Sequence, residues 1–342
     1  MRPLLTLALA LGLALPARAA PLDPLRDDID GSAAQVILIW TPEGTETLAT
    51  GPLRPGGRQT VASDRFLLAS VTKPFVAAAL LRLEGAGRID LDAPAAPLLP
   101  LDVVSGLGGL NGVTTAQMLA MTSGVPDYLD DAFTEAWIAR PDGWTILEAL
   151  EFAYGEPSEF APGTGYDYSN TNYLLAQLVL ERITGQTMDD ALRALVLAPV
   201  GADRSGVIGL APPRPEDAAG ISEGRDVSAL YAFPGFGDGG LVAPAEDVAA
   251  TFRALFIDRS VLPPVQLARM LQDPVGEGYG MGIDVSDEPG YGTVLSHAGG
   301  DLGYSTFAMA LPELPAVAVL LRGDEDADVD LLWEALDLVL DQ

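Results

Sequence analysis

The sequence predicts an α/β (α+β) fold: a mainly antiparallel sheet built from both chain ends and flanked by helices, with an inserted all-helical domain. Three observations lead there. Strand-like runs gather at the two ends, at Gln35–Trp40 and Thr45–Thr50 and again at Thr293–Ala298, Ser305–Leu311 and Ala316–Leu321. Helical signals dominate between Arg88 and Leu230. Between the two lies one helix, apolar on every side from Phe75 to Leu81, as suits an element buried at the centre of a protein. The domains expected are a sheet domain of residues 20–87 and 235–342 and a helical domain of residues 88–234, with a site at their interface.

Residues 1–19 read as a secretory signal: Arg2, an apolar run from Leu4 to Leu15, and Ala17-Arg18-Ala19 as a small-x-small cleavage site. The expected location is therefore exported, periplasmic or secreted. Pro42-Glu43-Gly44 turns the first two strands into a hairpin, and a third short strand runs from Val61 to about Leu68. The buried helix tolerates Pro74 in its first turn and closes at Gly85 or Gly87. Thr114 with Gln117 forms a capping box for a short helix that Thr122-Ser123-Gly124 stops. Trp144–Tyr154 reads as another helix, the stretch from Phe160 to Gly165 as a loop, and Thr171–Thr184 as a helix ended by Gly185. Met188–Leu197, Ala245–Phe256 and Val329–Leu340 supply three more helices.

Composition narrows the classes of function. A formal charge of −29 excludes nucleic acid and anionic membrane as partners and describes a solvating surface. Absence of cysteine excludes disulfides, thiol catalysis and thiolate metal sites. After the leader no apolar run approaches about eighteen residues, so no stable membrane anchor is expected. No metal or organic cofactor is called for. The acidic run from Asp324 to Asp330 lacks the glycine and closing glutamate of a calcium loop and reads as acids placed ahead of a helix start. Gly235-Phe236-Gly237-Asp238-Gly239-Gly240 reads as a turn-rich segment rather than a nucleotide loop.

Three short motifs carry the chemistry. Ser70 precedes Lys73 by three residues at the mouth of the buried helix, a spacing that brings a hydroxyl and an amine together. Lys73 is the only lysine beside eighteen arginines. An arginine could not replace it, because a desolvated lysine can shed its proton and act as a base whereas a guanidinium stays charged. Tyr168-Ser169-Asn170 stands at a loop-to-helix junction; taken alone, it also reads as an ordinary helix start. His297-Ala298-Gly299-Gly300 ends a strand and holds the only histidine, which alone reads equally as a satisfied polar group.

In order and spacing these motifs resemble the penicillin-recognising serine hydrolases, in the branch of class C β-lactamases, a D-alanyl-D-alanine carboxypeptidase and related serine esterases. Thr122-Ser123-Gly124, Phe160-Ala161-Pro162-Gly163 and Gly239-Gly240-Leu241 extend the resemblance over nearly the whole mature chain. The resemblance implies a β-lactamase/transpeptidase-like fold, with Ser70 as nucleophile, Lys73 as base and Tyr168 as proton relay. It gives the backbone N–H groups of Ser70 and Gly300 the oxyanion hole, and has Asn170 orient Lys73 or the substrate amide. His297 would hold the tyrosine network and face the substrate, with Gly299 in the same strand motif. The substrate implied is a small molecule or a peptide, such as one derived from the cell wall. Two positions that commonly carry hydroxyls for a substrate carboxylate are here Ala298 and Gly300, and Arg322 at the end of the last strand is the candidate replacement. Met121 stands where relatives often carry histidine. Three functions compete: a neutral-ester or amide hydrolase, a D-Ala-D-Ala carboxypeptidase or class C-like β-lactamase, and a non-catalytic relative that binds a muropeptide or a partner.

Overall fold

Burial along the first hairpin sets the architecture. Strand β1 (Gln35–Thr41) is apolar on both faces, so it needs cover above and below, whereas β2 (Gly44–Thr50) exposes one side and suits an edge. The computed structural model describes residues 21–341 apart from 28, 30, 109, 142, 211 and 212; the signal expected over residues 1–19 lies outside the described residues.

After β3 (Arg65–Leu67) come helix α1 (Lys73–Gly85) and a helical stretch. That stretch contains α2 (Leu101–Gly106), α3 (Thr115–Leu119), α4 (Asp131–Ala139), α5 (Ile146–Leu150), α6 (Thr171–Thr184), α7 (Met188–Leu192) and α8 (Ala198–Val200). Short strands β4 (Gly206–Val207), β5 (Ile221–Ser222), β6 (Arg225–Asp226) and β7 (Leu241–Pro244) follow. The chain then forms α9 (Ala245–Phe252), α10 (Pro264–Met270), β8 (Asp284–Glu288), β9 (Gly292–Asp301), β10 (Tyr304–Leu311), β11 (Ala316–Arg322) and α11 (Val329–Leu340). Among the described residues no helix is long and apolar enough to cross a membrane.

The main sheet runs β2-β1-β11-β10-β9-β8 with every pair antiparallel, so both chain ends do build one sheet. Strand alternation splits its side chains between two cores. Val36, Leu38, Val319 and Ala308 lie in the core on the side that α9 covers. Ile37, Ile39, Leu320 and Met309 face Leu332, Ala335 and Leu336 of α11. Asp328 caps α11 by accepting from the amides of Asp330 (3.0 Å) and Leu331 (3.3 Å), which explains part of the acidic run before it.

Two elements depart from expectation. The insertion is α-helical only as far as Val200. Beyond the left-handed Gly201, a stretch rich in glycine and proline forms β4, which pairs with β7, and the β5–β6 hairpin. Strand β8, Asp-Val-Ser-Asp-Glu, has poor strand propensity and forms because β9 offers it an edge, where Asp287 stays in water.

Candidate active site

Ser70 sits in a tight turn, Ala69–Thr72, directly before α1. Ala69 has φ of +46°, a left-handed conformation that a non-glycine residue holds only when its surroundings enforce it. Three bonds do so: the Leu68 amide donates to Leu241 O (2.8 Å), Thr306 Oγ1 donates to Leu68 O (2.7 Å), and the Leu241 amide donates to Thr72 Oγ1 (3.0 Å). Gly299 lets β9 press against this turn. A Cβ there would lie 2.5 Å from Leu68 O and 3.1 Å from the Ser70 nitrogen.

Lys73 is wholly buried, and its Nζ lies 2.8 Å from Ser70 Oγ, 2.9 Å from Asn170 Oδ1 and 2.9 Å from the Asp238 carbonyl oxygen. Burial lowers its pKa to about 8, against the opposing pull of Asp238, Asp127 and Asp301. The Asn170 and Asp238 oxygens can only accept, so they take the two N–H bonds of a neutral amine. The third direction, toward Ser70, is then left for the lone pair, and the serine hydroxyl can donate into it. The amine is thereby built to receive the serine proton.

Asn170 is itself oriented. Its Nδ2 donates to Asp127 Oδ2 (3.0 Å) and its amide to Asp127 Oδ1 (2.9 Å), which turns Oδ1 toward Lys73. Asp238 carries Tyr128, whose hydroxyl donates to Oδ2 at 2.8 Å. On the other flank Tyr168 lies beside Ser70, its ring centroid 4.9 Å from Lys73 Nζ. Burial raises the Tyr168 pKa, so it remains a neutral phenol that can pass a proton but does not compete with Lys73 as the base.

His297 lies against the tyrosines but does not face the pocket. It is buried behind the tyrosines, with Nδ1 2.6 Å from the Ala298 carbonyl and Nε2 3.1 Å from Tyr279 Oη. A carbonyl only accepts, so Nδ1 carries the hydrogen and Nε2 accepts from Tyr279. Burial, and then Lys73, lower its pKa to about 3. His297 thus buttresses Tyr279, whose ring meets that of Tyr168 edge-on with centroids 6.1 Å apart, and does not line the pocket beside Ser70.

That pocket is walled by Tyr128, Phe133, Trp137, Tyr231 and Phe236, with Gly300, Asp238 and Asp301 also on its surface. None of the described residues lining it is basic. Arg322 is placed elsewhere: it is ion-paired with Asp324, donates to Gln35 Oε1 (2.7 Å), and borders a separate cavity. A carboxylate two residues along the chain claimed the guanidinium, so the structure does not bring Arg322 to Ser70.

The remaining motifs hold the site together. The Gly163 amide donates to Thr122 O (2.7 Å) and the Asp167 amide to Met121 O (3.1 Å), fastening the loop before Tyr168 to the end of α3. Ser123 Oγ donates to Asn172 Oδ1 (2.5 Å), and Met121 Sδ accepts from Asn172 Nδ2 (3.6 Å), so Met121 serves packing there. Sequence reasoning missed Asp127, Tyr128, Asp238, Tyr279 and Asp301. Asp238 and Asp301 each adjoin a glycine pair already singled out, and that adjacency was the available signal. Among the described residues no group of three or more His, Cys, Asp or Glu side chains is arranged to hold a metal ion.

The chain matches the beta-lactamase family model over residues 36–340. It is 31% identical over 303 residues to the esterase EstB of Burkholderia gladioli, covering 74% of this chain and 76% of that one. It is 28% identical over 304 residues to penicillin-binding protein 4* of Bacillus subtilis, covering 79% of this chain and 63% of that one. Among solved structures a D-stereospecific amidohydrolase from Streptomyces sp. superposes with a TM-score of 0.79 at 28% identity, over 94% of this chain and 98% of that one. Since the match runs from β1 to the end of α11 and so takes in Ser70, Lys73 and every element that positions them, the chain belongs to the beta-lactamase family and is a serine hydrolase.

Proposed function

We propose that the protein hydrolyses esters or amides that carry no carboxylate beside the scissile bond, through an acyl-enzyme on Ser70. The observation that carries this reading is the Ser70 pocket: an aromatic wall, two carboxylates and no basic lining residue among those described. A substrate carboxylate would enter a field already negative from Asp238 and Asp301, with neither a guanidinium nor the hydroxyls of a third motif to receive it. The similarity to an esterase and to a D-stereospecific amidohydrolase supports the same choice.

In the reaction Ser70 Oγ adds to the carbonyl carbon while its proton passes to neutral Lys73 Nζ. The carbonyl electron pair moves onto oxygen, held by the backbone N–H groups of Ser70 and Gly300; one such donor is worth roughly 3–4 kcal/mol at the developing charge. On collapse the bond to the leaving group breaks, and that group takes the proton from Lys73 by way of the Tyr168 hydroxyl. Water then adds to the acyl-enzyme and gives a proton to Lys73. Ser70 departs with that proton, which restores the amine and releases the acid.

The test is turnover of p-nitrophenyl butyrate and of benzylpenicillin by the purified protein, with Ser70→Ala as control. Hydrolysis of the ester but not the penicillin, lost in the variant, is the expected result. Rapid consumption of the penicillin would reject the reading in favour of a β-lactam or peptide substrate. The proposal includes export, supported by Arg2, the apolar run after it and Ala17-Arg18-Ala19. Sequencing the N-terminus of the native protein from a periplasmic or medium fraction should find the chain cut after Ala19. An intact leader on active protein in the cytoplasm would overturn it.

A further inference from the structure

We infer that Asp301 is a specificity-determining anchor for a substrate ammonium, so that the acyl compounds this site prefers carry a primary amine next to an apolar group. The inference deepens the hydrolase reading and rests on it for the substrate's reactive bond. Asp301 follows Gly300 at the end of β9, and side chains alternate along a strand, so Asp301 projects to the same face as Gly299. Gly299 backs directly onto the Ser70 turn. Asp301 therefore lies on the nucleophile's side of the sheet, and it lines the pocket together with Ser70. Its charge is felt at Lys73 and at Asp238, which places it within electrostatic reach of the reacting centre.

Its hydrogen bonds leave room for a ligand. Oδ1 accepts from the Leu302 amide (2.8 Å), whereas the Tyr231 hydroxyl beside it donates to Leu302 O (2.8 Å). A carboxylate offers about four acceptor sites, so part of its capacity stays open toward the pocket. Among the described residues no basic side chain pairs with it, unlike Asp64, Asp217 and Asp324, each of which holds an arginine. The walls beside it suit a cation as well as an apolar group. Trp137 and Tyr231 meet edge to face with centroids 5.2 Å apart, and Trp137 is fixed by its Nε1–H bond to Leu230 O (2.8 Å). Aromatic faces attract an ammonium that a carboxylate neutralises.

Two comparisons test this. Binding of 2-phenylethylamine and of 2-phenylethanol to the wild-type protein is measured by calorimetry, then repeated with Asp301→Asn and Asp301→Glu. The expected preference for the amine is at least about tenfold, as for a hydrogen bond to a charged group, lost in Asn and regained in Glu. Equal binding of the two by the wild type, or a preference that survives in Asn, would overturn the anchor. Should the Asn variant fail to fold, the wild-type comparison and the Glu variant still decide. In parallel, kcat/KM is compared for phenylalanine methyl ester and methyl 3-phenylpropanoate, with both enantiomers of the former. The amine ester should be favoured, and that ratio should fall at least about tenfold in Asp301→Asn. If both esters are hydrolysed without such a preference, the anchor fails and the hydrolase reading stands. If the amine binds selectively but neither ester is hydrolysed, the hydrolase reading fails and the anchor stands. Equal losses on both esters would show that Asp301 only shapes the β9–β10 turn.

Discussion

In the proposed mechanism Lys73 can act as the base because the fold keeps it dry. With its pKa lowered to about 8, an appreciable fraction is neutral near pH 7, whereas a solvated lysine would hold its proton. The rate on a neutral ester is therefore expected to rise with pH through about 8 and level off above it, since protonation removes the lone pair aimed at Ser70. A profile flat from about pH 5 to 9, with chemistry rate-limiting, would contradict this. Lys73→Arg, permanently charged, should lower kcat by about 100- to 10,000-fold. Asp127→Ala frees the Asn170 amide to rotate and should cost about ten- to a hundredfold in kcat, as for other groups that orient a reacting one. Turnover unchanged in that variant would show that the amide's orientation is immaterial. Lys73 and Asn170 stood out because the sole lysine and one of three asparagines fell in short, spaced motifs beside Ser70 and Tyr168. Tyr128 and Asp238 did not, because their bond joins loops 110 positions apart.

At the scale of elements, the site depends on β9 pressing against the Ser70 turn. Adjacent glycines separate this packing role from a merely flexible one. Gly299→Ala forces a Cβ into Leu68 O and should destabilise the fold by roughly 1–3 kcal/mol and depress turnover. At Gly300 a Cβ meets no atom within 4 Å, so Gly300→Ala should change stability by less than about 0.5 kcal/mol. Denaturant midpoints of the two variants check this, and equal losses would mean that the close approach is not what Gly299 provides. Long periodic elements such as α6, α9, α11, β10 and β11 were readable from their patterns. Helix α4 carries a local signal too, since Asp130 caps it through the Phe133 amide (2.7 Å) and Phe133 and Trp137 recur four apart. Strands β5, β6 and β8 have no comparable local signal, since pairing with the rest of the fold decides them.

Across the whole molecule the dominant feature is charge. At −29 the folded chain repels itself, and burial pushes Asp284 and Asp301 up to about 6. Both bind protons when folded that the unfolded chain releases, so they favour folding as pH falls from about 6 toward 4. His297, lowered to about 3, acts oppositely: the unfolded chain takes up its proton below about 6.5 while the folded chain does not. Lys73, lowered to about 8, also opposes folding on acidification, but only near pH 8 and above, and two acids and relieved repulsion outweigh it and the histidine. The thermal midpoint should therefore rise between about pH 8 and 5.5, and added salt should raise it at pH 8. A fall on acidification across that window would show that the histidine dominates. The overall architecture was legible because strands and helices separate along the chain, and the resemblance supplied how they join. The fate of Arg322 was not, because only the folded chain shows Asp324 and Gln35 closing around it.

The central claim is that Ser70, activated by Lys73, forms a covalent acyl-enzyme. Its most direct test is the intact mass of the protein, acid-quenched during turnover of p-nitrophenyl butyrate, followed by peptide mapping. One butyryl group on Ser70, absent from Ser70→Ala and accumulating only slowly in Lys73→Arg, is the expected result. Turnover with the acyl group on another residue, or an adduct that persists in Ser70→Ala, would contradict it.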